Sequence, residues 1–309
     1  MSGPTGPDWP AAAPDVSVVF ETENEGPKRR IRLANVMAAW KRQNRADRVL
    51  EWIVVSPRLP SPEEKQLMDG LTARWIHRPD LRYFDQKRHG VLESLGRYIA
   101  LADSDALPDD DWLEAALRVL ETSDSRVALV TGRTRYLPGP FFREVTLAQL
   151  PNQADTARDT THFLAHNALL RADAVRRIGF EGGHIRLGAS THLARRLIAA
   201  GYRVRYDPSL NVTHNYAGRF QQLWKHFFMI GYNDAAFRNF CAEAHPNLIR
   251  EGLGRVRVLA RRLHEQREAV GIGPARVPLS LLFFIYFSVA HAAGSARGQR
   301  GGPEPFADF

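Results

Sequence analysis

The sequence predicts an α/β protein, with a mostly parallel central sheet flanked by helices and a helical C-terminal extension. Three observations lead there. Short apolar runs rich in β-branched residues alternate with helically spaced stretches over roughly the first 130 residues, the pattern of strands linked by helical crossovers. From about Gln221 the chain becomes Arg-rich and helically patterned. Near its end, Val277 to Ala296 contains no Asp, Glu, Lys or Arg. The expected division is a flexible leader over 1–15, a folded domain over 16–220 and a helical extension over 221–309, which holds the apolar segment 277–296.

The leader, "MSGPTGPDWPAAAPD", is rich in Pro, Gly and Ala and lacks the basic start and long apolar core of a secretory signal. "VSVVF" (Val16 to Phe20) then reads as a buried strand. Ile31, Leu33, Val36, Met37 and Trp40 mark a helix face, and "EWIVV" (Glu51 to Val55) a second strand. After Pro-rich "SPRLPSPEE" come a short helix and a third strand, Ala73 to His77. A helix from about Val91 to Gly96 is expected before a fourth strand, "YIALA" (Tyr98 to Ala102). The helix "DWLEAALRVLE" and a fifth strand, Val127 to Thr131, follow. Pro138 to Asp159 reads as loop and irregular structure. "HNALLRADAVRRIGF" resumes the alternation, and a helix with Leu193, Leu197 and Ile198 on one side stops at Gly201 before a short strand.

With 309 residues and 44% hydrophobic content the chain is long enough for a substantial core. Its 42 basic and 34 acidic residues give a formal charge of +8, nearly all of the basic ones being Arg, with Lys only at 28, 41, 65, 87 and 225. A basic balance suits phosphate-bearing ligands, nucleic acid or an anionic membrane. No nucleic-acid recognition motif of the usual types is present, so nucleic acid is not an expected partner. Cys241 is alone, which excludes an internal disulfide and a cysteine-built zinc site and fits a cytoplasmic setting.

The stretch "ALADSDALPDDDW" (Ala100 to Trp112) ends an apolar run in negative charge. Asp109 or Asp110 is expected to cap the helix beginning near Asp111. That leaves Asp103 and Asp105, two residues apart, which an extended backbone would point the same way. Carboxylates held that close repel unless one is protonated or a cation lies between them. Hard oxygen ligands suit Mg²⁺ or Mn²⁺, which keep waters and bind substrate phosphates with one or two carboxylates. At the carboxyl end of a strand in a parallel sheet, that chemistry implies a metal holding a diphosphate.

In this context the chain resembles the family-2-type glycosyltransferases of the GT-A fold, from about Val16 to His214. The matching pieces occur in order: "VSVVFETEN", "KRHGVLESLGRYIALADSDALPDDDWL", "HNALLRADAVRRIGF" and "THLARRLIAAGYRVRYDPSLNVTH". The resemblance implies a glycosyltransferase, expected to be inverting, that takes a nucleotide-diphosphate sugar as donor. It places Thr22 and Glu23 near the base and ribose, Lys87 near the nucleotide, Asp103 and Asp105 at the metal, with Asp103 also in the substrate site, and His214 as a further metal ligand. Lys87 also reads as a solvated surface lysine, and His214 as a histidine closing a strand.

Two departures stand out. Such enzymes usually carry a Glu-Asp pair before the second-half helix, the Asp being the base, but here "RLGASTHLARRL" puts Ala189 and Ser190 there. Neither ionises near neutral pH. Ser56 stands where an Asp contacting the nucleotide is common. His192, His184 and Glu181 are the titratable candidates for the base; His192 also reads as an exposed residue of a first helical turn. A branch of the superfamily with an "ETEN"-like start also lacks the pair, and the chain resembles it. The alternatives are a catalytically silent nucleotide-sugar-binding relative that serves as partner or scaffold, and nucleotidyl transfer, which no Gly-rich phosphate loop supports here. The acceptor, whether glycan, lipid or small molecule, stays open. The apolar tail, with Arg255, Arg257, Arg261, Arg262 and Arg267 upstream, is expected either to attach the chain peripherally to the inner face of a membrane or to pack on protein.

Overall fold

The structure is a computed structural model that describes residues 14–23, 30–139, 141–148, 155–180, 189–215, 220–268 and 270–301; most of the expected leader lies outside these residues. They fall into two compact units, one within Met1–Arg135, Pro151–His184 and Ala189–Asn215, the other within Tyr136–Leu150, Ile185–Gly188 and Tyr216–Phe309.

In the first unit every residue of β1 (Val16–Glu21) is buried, as a continuous apolar run in a doubly covered sheet should be. β1 pairs in parallel with β2 (Val49–Ser56) and β4 (Tyr98–Asp103), and β2 with β3 (Ala73–His77). On one face Phe20 meets Trp40 of α1 (Leu33–Lys41), which packs edge-on against Trp112 of α4 (Trp112–Thr122). On the other, Val19 joins a core with Phe84 and Val91 of α3 (Tyr83–Glu93). The approach of α3 is close enough that a Cβ on Gly90 would overlap Val19. The helix α2 (Pro62–Met68) is opened by a reciprocal Ser61–Glu64 capping box.

Beyond β4 the sheet changes direction. β8 (Ala168–Arg171) runs antiparallel to both β4 and β6 (Val127–Tyr136). The order is β3-β2-β1-β4-β8-β6-β9-β5, where β5 is Ala106–Pro108 and β9 Arg203–His214; β7 (Arg158–Thr160) pairs with β9. Among the described residues this makes a nine-stranded mixed sheet, parallel in its first half and antiparallel in the rest. The expected fifth parallel neighbour, Val127 to Thr131, is therefore separated from β4 by β8 and continues to Tyr136. A Cβ on Gly132 would overlap Leu210 of β9, so this glycine permits close backbone approach.

Other expectations are corrected. The helix expected at Val91 to Gly96 is α3, which begins eight residues earlier and ends at Glu93, because its buried face includes Gln86, Lys87 and Gly90 and so lacks an apolar stripe. Asp109 and Asp110 do not cap α4: the Asp109 carboxylate pairs with Arg135, Asp110 lies 3.6 Å from Arg42, and Gln43 Oε1 accepts from Leu113 N–H at 2.8 Å. Within Pro138 to Asp159 there is a helix, α5 (Phe142–Ala148), and the strand expected after Gly201 is twelve residues long. α6 (Ala172–Ile178) and α7 (Ala189–Ala199) complete the first unit.

The second unit gathers α5 with α8 (Phe220–Phe240), α9 (Leu248–Gln266) and α10 (Val277–Gln299) around Leu223, Phe227, Leu259, Leu263, Phe283 and Phe287. Gly231 of α8 and Gly294 of α10 let the two backbones meet; a Cβ on either would overlap the facing helix. Glu144 of α5 is fully buried and accepts from Arg276 at 2.7 Å and Ser280 at 2.8 Å.

Candidate functional site

The carboxyl end of β4 carries the site. Register places Asp103 beside Glu21 of β1, and the chain then turns through Ser104 and Asp105 into β5, whose pairing with β9 sets Ala106 opposite His214. Asp103, Asp105 and Glu21 are each at most 1% exposed. Three acids this close and this buried need compensation, and the structure supplies it in two ways.

Lys87 on α3 is fully buried; its Nζ lies 2.5 Å from Asp103 Oδ1, and it donates to the Ala102 carbonyl. The surface-lysine alternative is thereby excluded. Tyr83, one turn earlier, donates its hydroxyl to Asp103 Oδ2 at 2.8 Å. Burial disfavours the charged form of Asp103, but Lys87, His166 and His214 outweigh it and hold the carboxyl below its usual range. Glu21 goes the other way: burial, then the charge of Asp103, pushes its pKa well above the usual carboxylate range. It accepts from the Glu23 and Ser104 N–H groups.

Two histidines close the cluster. Asp103, His166 and His214 each offer a ligand atom, all within 4.8 Å of one another. His214 Nδ1 lies 2.5 Å from the Asn215 carbonyl, which only accepts, so Nδ1 donates there, while Nε2 lies 3.3 Å from Asp105 Oδ1. His166 Nε2 contacts Thr134 Oγ1 at 2.9 Å while Nδ1 lies 3.9 Å from Asp103 Oδ2. Burial, with the His214 charge adding to it, lowers His166 to about 3, which keeps its imidazole neutral. Each ring is thus held by one nitrogen and presents the other to a carboxylate, the arrangement usual for metal-bound histidine. Oxygen and imidazole donors together fit Mn²⁺, and oxygens alone Mg²⁺.

Thr22 and Glu23 follow β1. Thr22 N–H donates to Gln86 Oε1, and its hydroxyl donates to Ser56 Oγ at 2.8 Å, so Ser56 packs against the segment. The Glu23 carboxylate accepts from Tyr83 N–H and holds the start of α3. His192 and Ser190 are half-buried in the first turn of α7. Glu181 and His184 lie outside the described residues. His162, not singled out from sequence, contacts Thr191 Oγ1 in that turn at 3.2 Å. Glu21, Tyr83 and His166 were also missed. His166 precedes β8, and only the antiparallel insertion of β8 beside β4 brings it to Asp103.

Among solved structures, a mannosyltransferase from Pyrobaculum calidifontis, in complex with GDP-Man and Mn²⁺, is similar at 17% identity and a TM-score of 0.61, over 93% of this chain and 88% of that one. GalNAc-T7 with UDP, GalNAc and Mn²⁺ is similar at 10% identity and a TM-score of 0.54, over 78% of this chain and 53% of that one. Both likenesses are of fold, and both place the mixed sheet in the GT-A class. No curated protein matches the sequence. The family model described as glycosyl transferase family group 2 matches residues 98–259, from the strand that ends in Asp103 through most of α9. More than half of the chain lies in that match, and the chain belongs to glycosyl transferase family group 2.

Proposed function

We propose that this glycosyltransferase moves a sugar from a nucleotide-diphosphate-sugar donor to an acceptor hydroxyl, with inversion at the anomeric carbon. The observation that carries the donor class is the buried cluster at the end of β4, where Asp103, Asp105, His166 and His214 converge. A divalent cation there, Mn²⁺ or Mg²⁺, would neutralise charge that develops on a departing diphosphate. Asp103, Asp105 and His214 would hold it, with His166, grouped with Asp103 and His214, as a further ligand. Lys87 and Tyr83 fix the Asp103 carboxylate, and burial beside Asp103 raises the pKa of Glu21. Thr22 and Glu23 remain the proposed neighbours of the base and ribose.

Inversion needs a base on the acceptor hydroxyl. His192 is the proposed group, with Glu181 as the carboxylate alternative and Ser190 marking the position of the absent Asp. Ala189 and Ser190 in that position favour a second reading, a silent relative that binds donor without turning it over.

One assay separates the two: release of nucleoside diphosphate from a panel of nucleotide sugars that includes GDP-mannose and UDP-GalNAc, with and without Mn²⁺. The enzyme reading expects metal-dependent release, reduced in Asp103→Asn and Asp105→Asn because an amide holds a divalent cation less well. Binding without release supports the silent relative; neither binding nor release across the panel removes both.

A further inference from the structure

A helix at the surface of a soluble protein turns polar side chains to water and apolar ones inward. α10 buries its phenylalanines but also turns an aliphatic stripe outward. Its exposed positions are Pro278, Leu279, Leu282, Ile285, Val289 and Ala293, followed by Arg297 and Arg300. Spacings of three and four put them on one stripe. Leu282 is 63% and Val289 53% exposed, and no exposed residue from Pro278 to Ala293 is polar. The polar side chains are instead buried: Ser280 donates to Glu144, Ser295 donates to the Gly231 carbonyl, and His291 lies 2.9 Å from Asp234.

We propose that this stripe lies in the surface of an anionic membrane, its aliphatic side chains among the acyl chains and Arg297 and Arg300 at the phosphate headgroups. Three observations favour lipid over a second copy of the chain. The stripe offers no side-chain donor or acceptor before Arg297, whereas protein interfaces carry about one hydrogen bond per 100–200 Å². α9, which packs on α10, likewise exposes Arg250, Arg257 and Arg261 beside Ile249, Leu253 and Val258, and its exposed acidic residue within the helix, Glu265, is confined to the last turn. Residues 220–301 hold eleven Lys and Arg against five Asp and Glu, so a second copy would set like charge against like, while anionic lipid complements it. From Pro278 to Ala293 the stripe is about 22 Å long at 1.5 Å per residue. The helix as a whole is long and apolar enough to cross a bilayer, but the exposed stripe is short of the roughly 30 Å hydrocarbon core and the opposite face packs on α8, so the helix lies in one leaflet instead of crossing two.

The test is flotation of the full chain with vesicles of phosphatidylcholine alone and of phosphatidylcholine with phosphatidylglycerol, in the absence of nucleotide and metal. Wild type is expected to float with the anionic vesicles and to be released by salt. The double variant Leu282→Glu, Ile285→Glu should reduce the bound fraction at least tenfold with unchanged circular dichroism, and Arg297→Glu with Arg300→Glu should abolish the preference for phosphatidylglycerol. As a check that needs no loss of binding, an environment-sensitive dye on Ile285→Cys in a Cys241→Ser background should brighten on adding anionic vesicles. Equal flotation of wild type and the Leu282/Ile285 variant, an unresponsive dye, or a vesicle-inert dimer that the variant turns into a monomer would each overturn the proposal. No donor is needed, so its failure is distinct from failure of the glycosyltransferase reading.

Discussion

Asp103 is a buried carboxylate held by a buried lysine, and the cost of parting them is the first thing mutation would show. Removing one partner of such a pair leaves an uncompensated charge and typically costs about 3–5 kcal/mol. Lys87→Met should lose stability on that order in denaturant unfolding, and Mn²⁺ should restore part of the loss by compensating Asp103 in lysine's place. The histidines make a separate prediction. Thr134 holds His166 Nε2 and so aims Nδ1 at Asp103. Loss of an orienting partner commonly costs about 10–100-fold in metal affinity. Thr134→Val should weaken Mn²⁺ binding by that factor in titration calorimetry, and His166→Ala by at least as much; unchanged affinity in both would remove His166 from the ligand set. From sequence, Asp103 and Asp105 were legible because two acids followed an apolar run, whereas His166 looked like any histidine before a strand.

At the scale of elements, the second unit depends on a buried carboxylate. Burial opposes the charge on Glu144, but hydrogen bonds from Arg276 and Ser280 outweigh it and lower its pKa. A carboxyl whose folded pKa is depressed contributes stability above its unfolded pKa, about 4.3, and loses it as pH falls through the folded value. The unfolding free-energy difference between wild type and Glu144→Gln should therefore be largest near pH 7 and shrink below about pH 4. A difference that does not change with pH would assign the role of Glu144 to packing. α5, which carries this residue, was missed in the sequence because a seven-residue helix after Pro138 and Gly139 has too few turns to display a period. α3 was misplaced for another reason: its inward face carries Lys87 and Gln86 for the site and Gly90 for closeness, so function broke its apolar pattern.

For the whole molecule the decisive measurement is thermal or chemical stabilisation by donor. A ligand that binds only the folded state adds about 2.7 kcal/mol at 100 times its dissociation constant. A nucleotide sugar with Mn²⁺ should reach that gain, with a smaller one in Asp105→Asn at the same concentrations, and a shift independent of Mn²⁺ would sever donor binding from the cation. The formal charge of +8 also favours an anionic donor by steering, so association should slow as salt rises.

The strands β1 to β4, the helices α1 and α4 and the strand-end acids followed from local pattern alone, because each is specified by the spacing of apolar residues within its own segment. The tertiary structure decided what depends on residues far apart in the chain. It inserted β8 antiparallel between β4 and β6, which changed a sheet read as mostly parallel into a mixed one and carried His166 to the acids. It buried Lys87, turned the Asp109 carboxylate from the expected helix cap to Arg135, and set the serines of α10 inward and Leu279 and Leu282 outward. Sequence periodicity reports which residues share a face; which neighbour that face meets is set by pairing and packing across the whole chain.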